Sequence, residues 1–288
     1  MILLENEKLK ISIEPKGAEL RSAYRKDFQL EYMWSADPAV WPRVSPVLFP
    51  IVGRLKNDQY TYEGKTYTLS QHGFARNMNF EVLANTNASA VFLLESNDVT
   101  KENYPFDFKL LLSYTLLDDV LELQYEVINT SNRKMYFSLG MHPGFKIPLM
   151  RDELYEDYYI GTNEKENAER YLIEGGLISA QTEKVFNDSQ RIDLHLDLFN
   201  RDALVFKNLR STELSIRSKN HEHGLSLSAE DFPFYGIWAQ KGASFACLEP
   251  WCGIADAVEA SGDITEKEGI QVLESSEVFL RKARFRFF

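Results

Sequence analysis

The stretch from Phe108 to Ile128 limits the possible folds most, because it reads as one long hairpin. Its return half sets Leu121, Leu123, Tyr125 and Val127 against Glu122, Gln124 and Glu126. A period of two held over that length gives a strand with one buried and one wet face. Asp118-Asp119 marks the turn between residues 108–117 and 120–128. A second hairpin runs from Tyr60-Thr61-Tyr62 through Glu63-Gly64-Lys65 to Thr66-Tyr67-Thr68-Leu69, with β-branched and aromatic residues on both sides of a turn.

Further strands are expected at 90–94, 204–207, 213–218, 224–228, 235–240, 245–248 and 278–287. Between them the chain lacks the amphipathic helices of about 10–15 residues that βαβ units require. Short helical turns are expected near 35–40, 97–103 and 164–169. The pattern predicts an all-β protein, a large antiparallel two-sheet β-sandwich. With no repeat, low-complexity tract or linker, residues 1–288 read as a single domain, since sandwiches can reach about 250 residues as one unit.

Such a fold needs a large core, and a chain that is 44% hydrophobic with 19 Phe and 14 Tyr can fill it. A net charge of −11 leaves no overall basic field to hold nucleic acid or anionic lipid. Neither is expected as a partner. The opening Met1-Ile2-Leu3-Leu4-Glu5-Asn6-Glu7 lacks the basic and then apolar segments of an export signal. No run of about 18 apolar residues occurs, so a cytoplasmic protein is expected. Cys247 and Cys252 flank Leu248-Glu249-Pro250-Trp251, too few cysteines for a disulfide framework or a four-ligand zinc site. Reduced thiols are expected, with one strained bridge between them as the alternative.

Two of the five histidines lie in glycine-containing loops, Gln71-His72-Gly73-Phe74-Ala75-Arg76 and Leu139-Gly140-Met141-His142-Pro143-Gly144-Phe145. Glycine lets a backbone approach a ligand closely, and loops on a rigid scaffold are where sites concentrate. The plain alternative for each is a turn histidine bonded to its own backbone. Glu249 follows Phe245 and Cys247 at strand spacing, so all three point to one face. An aromatic and a thiol beside it would desolvate the carboxyl and raise its pKa, as a base working near neutrality requires. The alternative is a solvated glutamate at a strand end.

Four segments, Pro46-Val47-Leu48-Phe49-Pro50-Ile51-Val52-Gly53-Arg54, His72-Gly73-Phe74-Ala75-Arg76, Gly140-Met141-His142-Pro143-Gly144-Phe145 and Leu248-Glu249-Pro250-Trp251-Cys252-Gly253, together resemble the aldose 1-epimerase (galactose mutarotase-like) family. The likeness is to its LacX-type branch. It begins at Gly17-Ala18-Glu19-Leu20 and keeps the family's order to Glu249. The resemblance implies a mutarotase acting on an aldose or aldose phosphate without a metal or organic cofactor. It makes His142 the general acid and Glu249 the general base, with His72 and Arg54 as sugar-binding partners. Arg76 follows His72 as in the branch that handles hexose 6-phosphates, and Asp202 matches the family's sugar-gripping aspartate. Where the classical enzymes carry an Asn-Arg pair after the first Gly-Arg, Leu55-Lys56-Asn57-Asp58 stands here. That departure counts against free galactose as substrate.

Trp41, Phe74, Trp238 and Trp251 could stack on a sugar, although core filling suits most of them. His221-Glu222-His223 has the spacing of a metal pair but no third ligand motif, and reads as a solvated turn. The alternating basic and aromatic residues from Phe279 to Phe288 read as an edge strand with a charged outer face. Two rival functions remain: a sugar-binding or sensor module without chemistry, and a glycoside-processing enzyme. The latter needs a second carboxylate opposite Glu249, which Asp202 or Asp231 could supply.

Overall fold

The computed structural model describes residues 1–288. Two large antiparallel sheets form the body. The first has nine strands, ordered Ser189–Asp193, Tyr158–Glu166, Glu213–Ser218, Gly224–Ser228, Val278–Phe287, Val120–Asn129, Phe108–Leu117, Ser89–Glu95 and Glu81–Asn85. The second runs Leu177–Lys184, Glu169–Glu174, Leu204–Lys207, Phe234–Trp238, Phe245–Cys252, Leu139–Met141 and Val47–Leu48, with Gly144–Lys146 also paired to Phe245–Cys252. An N-terminal meander, Ile2–Glu5, Leu9–Glu14, Glu19–Arg25 and Leu30–Glu31, forms a smaller sheet. One continuous apolar cluster from Leu4 to Phe287 fills the interior. No helix is long and apolar enough to cross a membrane.

The long hairpin folds as its alternation predicts. Phe108–Leu117 and Val120–Asn129 pair in continuous register, and Leu121, Leu123, Tyr125 and Val127 are buried. The turn near residue 97 becomes the helix Asp98–Asn103, whose N-terminus Asn97 caps by accepting the Thr100 N–H. Near residue 37 there is a single turn, closed where the Trp41 N–H donates to the Asp37 carbonyl.

Three expectations are corrected. Residues 164–169 are not helical but belong to Tyr158–Glu166 and Glu169–Glu174. Tertiary hydrogen bonds override their helix-forming composition: Asn163 Oδ1 accepts the N–H groups of Thr212 and Glu213, and Glu166 accepts that of Ser211. The C-terminal strand is not an edge. Val278–Phe287 lies between Gly224–Ser228 and Val120–Asn129, and its basic residues pair with acids of the adjoining hairpin, Arg284 with Glu122 at 2.9 Å and Arg286 with Asp119 at 3.4 Å. Cross-strand charge pairing therefore accounts for the alternation. The strand from Phe245 continues to Cys252, through a proline that would normally argue against a central strand.

Candidate active site

The register of Phe245–Cys252 brings the two loop motifs together. Gly140 pairs with Trp251 and Gly144 with Cys247, so the intervening His142 arches over Glu249. His142 Nε2 lies 3.2 Å from Glu249 Oε2. Both side chains are almost entirely buried, with residue exposures of 9% for His142 and 1% for Glu249. They sit at a cavity of about 580 Å³ that is also lined by Trp41, His72, Arg76, Asp202, Lys241 and Trp251.

Burial governs the protonation of this pair. It pushes the His142 imidazole down to about 3, and the positive charges of Arg76 and Arg43 act in the same direction. Burial also holds the Glu249 carboxyl well above the usual carboxylate range, aided by the negative charge of Asp202. The indole N–H of Trp251 opposes that rise, although it meets no acceptor in hydrogen-bond geometry. Both shifts favour a neutral imidazole beside a protonated carboxyl, so the pair carries one proton in total.

Aromatic rings fix the surroundings. The His142 ring sits 5.1 Å from Trp41 and 5.5 Å from Trp238, centroid to centroid. Trp41 in turn stacks on Phe245 at 5.3 Å. Trp251 lies against Gly236, where any Cβ would collide with the indole. This close approach is what glycine permits there. Phe74 packs instead among Phe49, Tyr104 and Phe108.

His72 enters from a left-handed turn, with φ of 66°, an unusual conformation for a non-glycine residue and one that clusters at functional sites. Its ring lies 5.6 Å from that of His142 and nearly perpendicular to it. Arg76, on the following turn, donates to the Gln71 carbonyl at 2.5 Å, while its buried Nε has no protein partner. Burial and the charge of Arg43 lower its pKa to about 10. The motif near the N-terminus supports these loops. Glu19 accepts the N–H groups of Val44 and Ser45, and the Gly17 N–H donates to the Met78 carbonyl at 2.7 Å.

Arg54 is the one expected site residue that the structure keeps out of the cavity lining. Asp58 captures its guanidinium through two hydrogen bonds of 2.8 Å, and Gly175 accepts a third. Asp58 belongs to the segment that departs from the classical pattern, so that departure supplies the partner that holds Arg54. Asp231, the other possible second carboxylate, is likewise absent from the lining. Sequence reasoning missed Gln71, Gln240 and Lys241. The expected strand 235–240 ends at Trp238, and the last two occupy the turn that follows, in which the Ala243 N–H donates to the Gln240 carbonyl. A polar turn carries no signal of what it faces.

The remaining motifs lie elsewhere. His221 binds Glu153 at 2.8 Å in the turn before Gly224–Ser228, and His223 packs on Phe28. Both cysteines are free and buried, five positions apart on one extended strand, or about 16 Å at strand rise, which rules out the bridge. Donor atoms of His142, Cys247 and Glu249 all lie within 4.8 Å of one another.

The fold and site together define a two-sheet β-sandwich with a buried histidine–glutamate pair beside an aromatic-walled polar cavity. Residues 1–269 match the family described as aldose 1-epimerase, and the chain belongs to that family. It is 33% identical over 276 residues to protein LacX, chromosomal, of Lactococcus lactis subsp. lactis, with 92% of each covered. It superposes with a TM-score of 0.95 on a galactose mutarotase related enzyme from Lactobacillus acidophilus, at 38% identity over 99% of this chain and 96% of that one. A galactose mutarotase-like protein from Lactobacillus casei gives a TM-score of 0.94 at 31% identity, with both chains fully covered.

Proposed function

We propose that this chain is a cofactor-independent aldose 1-epimerase working as one cytoplasmic domain, interconverting the α and β anomers of a hexose or hexose phosphate. The observation that carries the reading is the 3.2 Å approach of His142 and Glu249, a one-proton pair at the cavity.

Ring opening removes the proton from the anomeric hydroxyl and delivers one to the ring oxygen as the C1–O5 bond breaks, leaving an open-chain aldehyde. Opening starts from the tautomer in which the pair's one proton has passed from Glu249 to His142 across their 3.2 Å contact, so that Glu249 acts as the base toward O1 and His142 as the acid toward O5. Afterwards the carboxyl is protonated and the imidazole neutral, which is the distribution that burial favours. Rotation about C1–C2 presents the other carbonyl face, and the two groups then run in reverse. Acid–base assistance of about 10²–10⁴-fold per group suffices for a reaction that already proceeds in water. His72 and Asp202 would hold the sugar hydroxyls, Arg76 and Lys241 an anionic substituent, and Trp41 and Trp251 the apolar ring face.

The test is NMR anomer exchange on a panel of free and 6-phosphorylated hexoses. Wild type should accelerate exchange for at least one of them. His142→Asn and Glu249→Gln should each lower the rate by about 10²–10⁴-fold while the sugar still binds. Tight binding of an aldose without faster exchange would mark a sensor module, and cleavage of disaccharides a glycoside-processing enzyme.

A further inference from the structure

Cys247 places beside the acid–base pair a thiol that anomer exchange does not use. The thiol is fully buried, and its pKa is raised well above the ordinary value by burial and the adjacent Glu249. Cys247 and Glu249 project from the same face of Phe245–Cys252, and His142 stands over them. The three offer sulfur, nitrogen and oxygen within 4.8 Å of one another.

We propose that His142, Cys247 and Glu249 form a reversible inhibitory site for a borderline-soft divalent cation, zinc foremost. Three donors of this kind with an open fourth position are what zinc accepts in tetrahedral coordination. The cavity supplies that position, because His142 and Glu249 both line it. The sulfur donor discriminates against magnesium and calcium, which prefer oxygen-only sites.

Charge balance favours the exchange. Burial favours the uncharged form of all three groups before binding. One dication enters as two protons leave, from Cys247 and Glu249, so the buried site stays neutral. The geometry argues for an inhibitor rather than a resident metal. Nδ1 of His142 has no protein partner, whereas metal-ligating histidines usually donate from their second nitrogen to a fixed acceptor. The metal would occupy both catalytic groups at once, so bound metal and anomer exchange exclude each other. The inhibition rests on the epimerase reading; the binding does not.

The experiment compares wild type with Cys247→Ala and, should the alanine variant fold poorly, Cys247→Ser. Equilibrium dialysis against zinc should find one more tightly bound ion per chain in wild type than in the variant. Cobalt bound to wild type should show a thiolate charge-transfer band that the variant lacks. Zinc should slow wild-type exchange competitively with sugar and reversibly with EDTA, and magnesium should not. Measured against its own zinc-free exchange rate, the variant should have half-inhibition moved to higher zinc by more than the roughly 10–100-fold typical of losing an outer-shell partner. Equal zinc binding by wild type and variant would overturn the proposal, as would equal inhibition. If wild type exchanges no anomers, the epimerase reading fails while dialysis and the cobalt band still decide the site.

Discussion

The backbone N–H of Gly53 donates to Nδ1 of His72 at 3.1 Å, and the His72 N–H donates back to the Gly53 carbonyl at 2.8 Å. This exchange fixes the tautomer. Burial and the neighbouring His142 keep the imidazole neutral, so with Nδ1 accepting, the ring proton sits on Nε2. His72 is thereby a hydrogen-bond donor for a sugar hydroxyl rather than a second acid. Replacing it by Asn keeps a short polar side chain beside Gly53 and withdraws the distal donor. His72→Asn should raise KM roughly 10-fold or more, the scale of one lost hydrogen bond of about 1–3 kcal/mol, with a smaller change in kcat. Initial-rate kinetics check this; a fall in kcat at constant KM would contradict the positioning role.

Glu249 should cost stability near neutral pH. Its folded-state pKa is raised by burial, so between its ordinary value of 4.5 and the raised value the unfolded chain has lost a proton that the folded chain keeps. Stability from this group is thus complete below about pH 4.5 and declines as pH rises through the folded pKa. His142 works in the opposite sense. With its pKa lowered to about 3, it withdraws stability as pH falls below about 6.5. Glu249→Gln should therefore be more stable than wild type at pH 7.5 by roughly 1–3 kcal/mol. Urea denaturation at pH 7.5 and 4.5 tests this, because the gain should shrink at the lower pH.

How much of this site was legible in the sequence depended on what carried the signal. Period-two alternation declares both a strand and its buried face, which is why Val120–Asn129 was readable, as was the shared face of Cys247 and Glu249. Register between distant strands leaves no local trace. The meeting of His142 with Glu249 could be expected only from family resemblance, although Gly140 against Trp251 and Gly144 against Cys247 now explain it. The resemblance gave no sign of the Arg54 contact, because the partner that holds its guanidinium, Asp58 four residues later, lies in the segment that departs from the classical pattern. Lys241 stayed invisible since turn composition is polar whether it faces solvent or substrate.

A second buried pair supports the site from behind. Lys267 Nζ donates to Asp256 at 2.7 Å and to the Ile254 carbonyl at 2.6 Å, and Asp256 also accepts the Lys56 N–H at 2.9 Å. These contacts tie residues 54–56 to the segment after Glu249. Lys267→Met would leave the Asp256 carboxylate buried without a counter-charge, at a cost of about 3–5 kcal/mol. Adding Asp256→Asn should recover part of that loss, since the penalty lies in the uncompensated charge. Urea denaturation of the single and double variants gives the coupling directly; additive losses would show that the two side chains act independently.

Arg76 provides the sharpest test of which sugars are used. No carboxylate lies within ion-pairing distance of its guanidinium in a protein of net charge −11, and its Nε is buried without a protein partner. Loss of hydration lowers its pKa to about 10 without neutralising it at pH 7. A partly desolvated, unpaired cation at the wall of a sugar cavity gains most from an anionic substituent, and a guanidinium fork matches phosphate oxygens. Arg76→Gln should raise KM for a 6-phosphorylated hexose by roughly 10–100-fold, the scale of a charge-assisted hydrogen bond worth about 1.5–3 kcal/mol. The free hexose should change far less, and the salt dependence of KM for the phosphorylated sugar should weaken. Kinetics on both sugars at two ionic strengths decide the matter: an equal loss on both would assign Arg76 to the sugar ring or to the turn that holds His72, and remove the phosphate from the substrate.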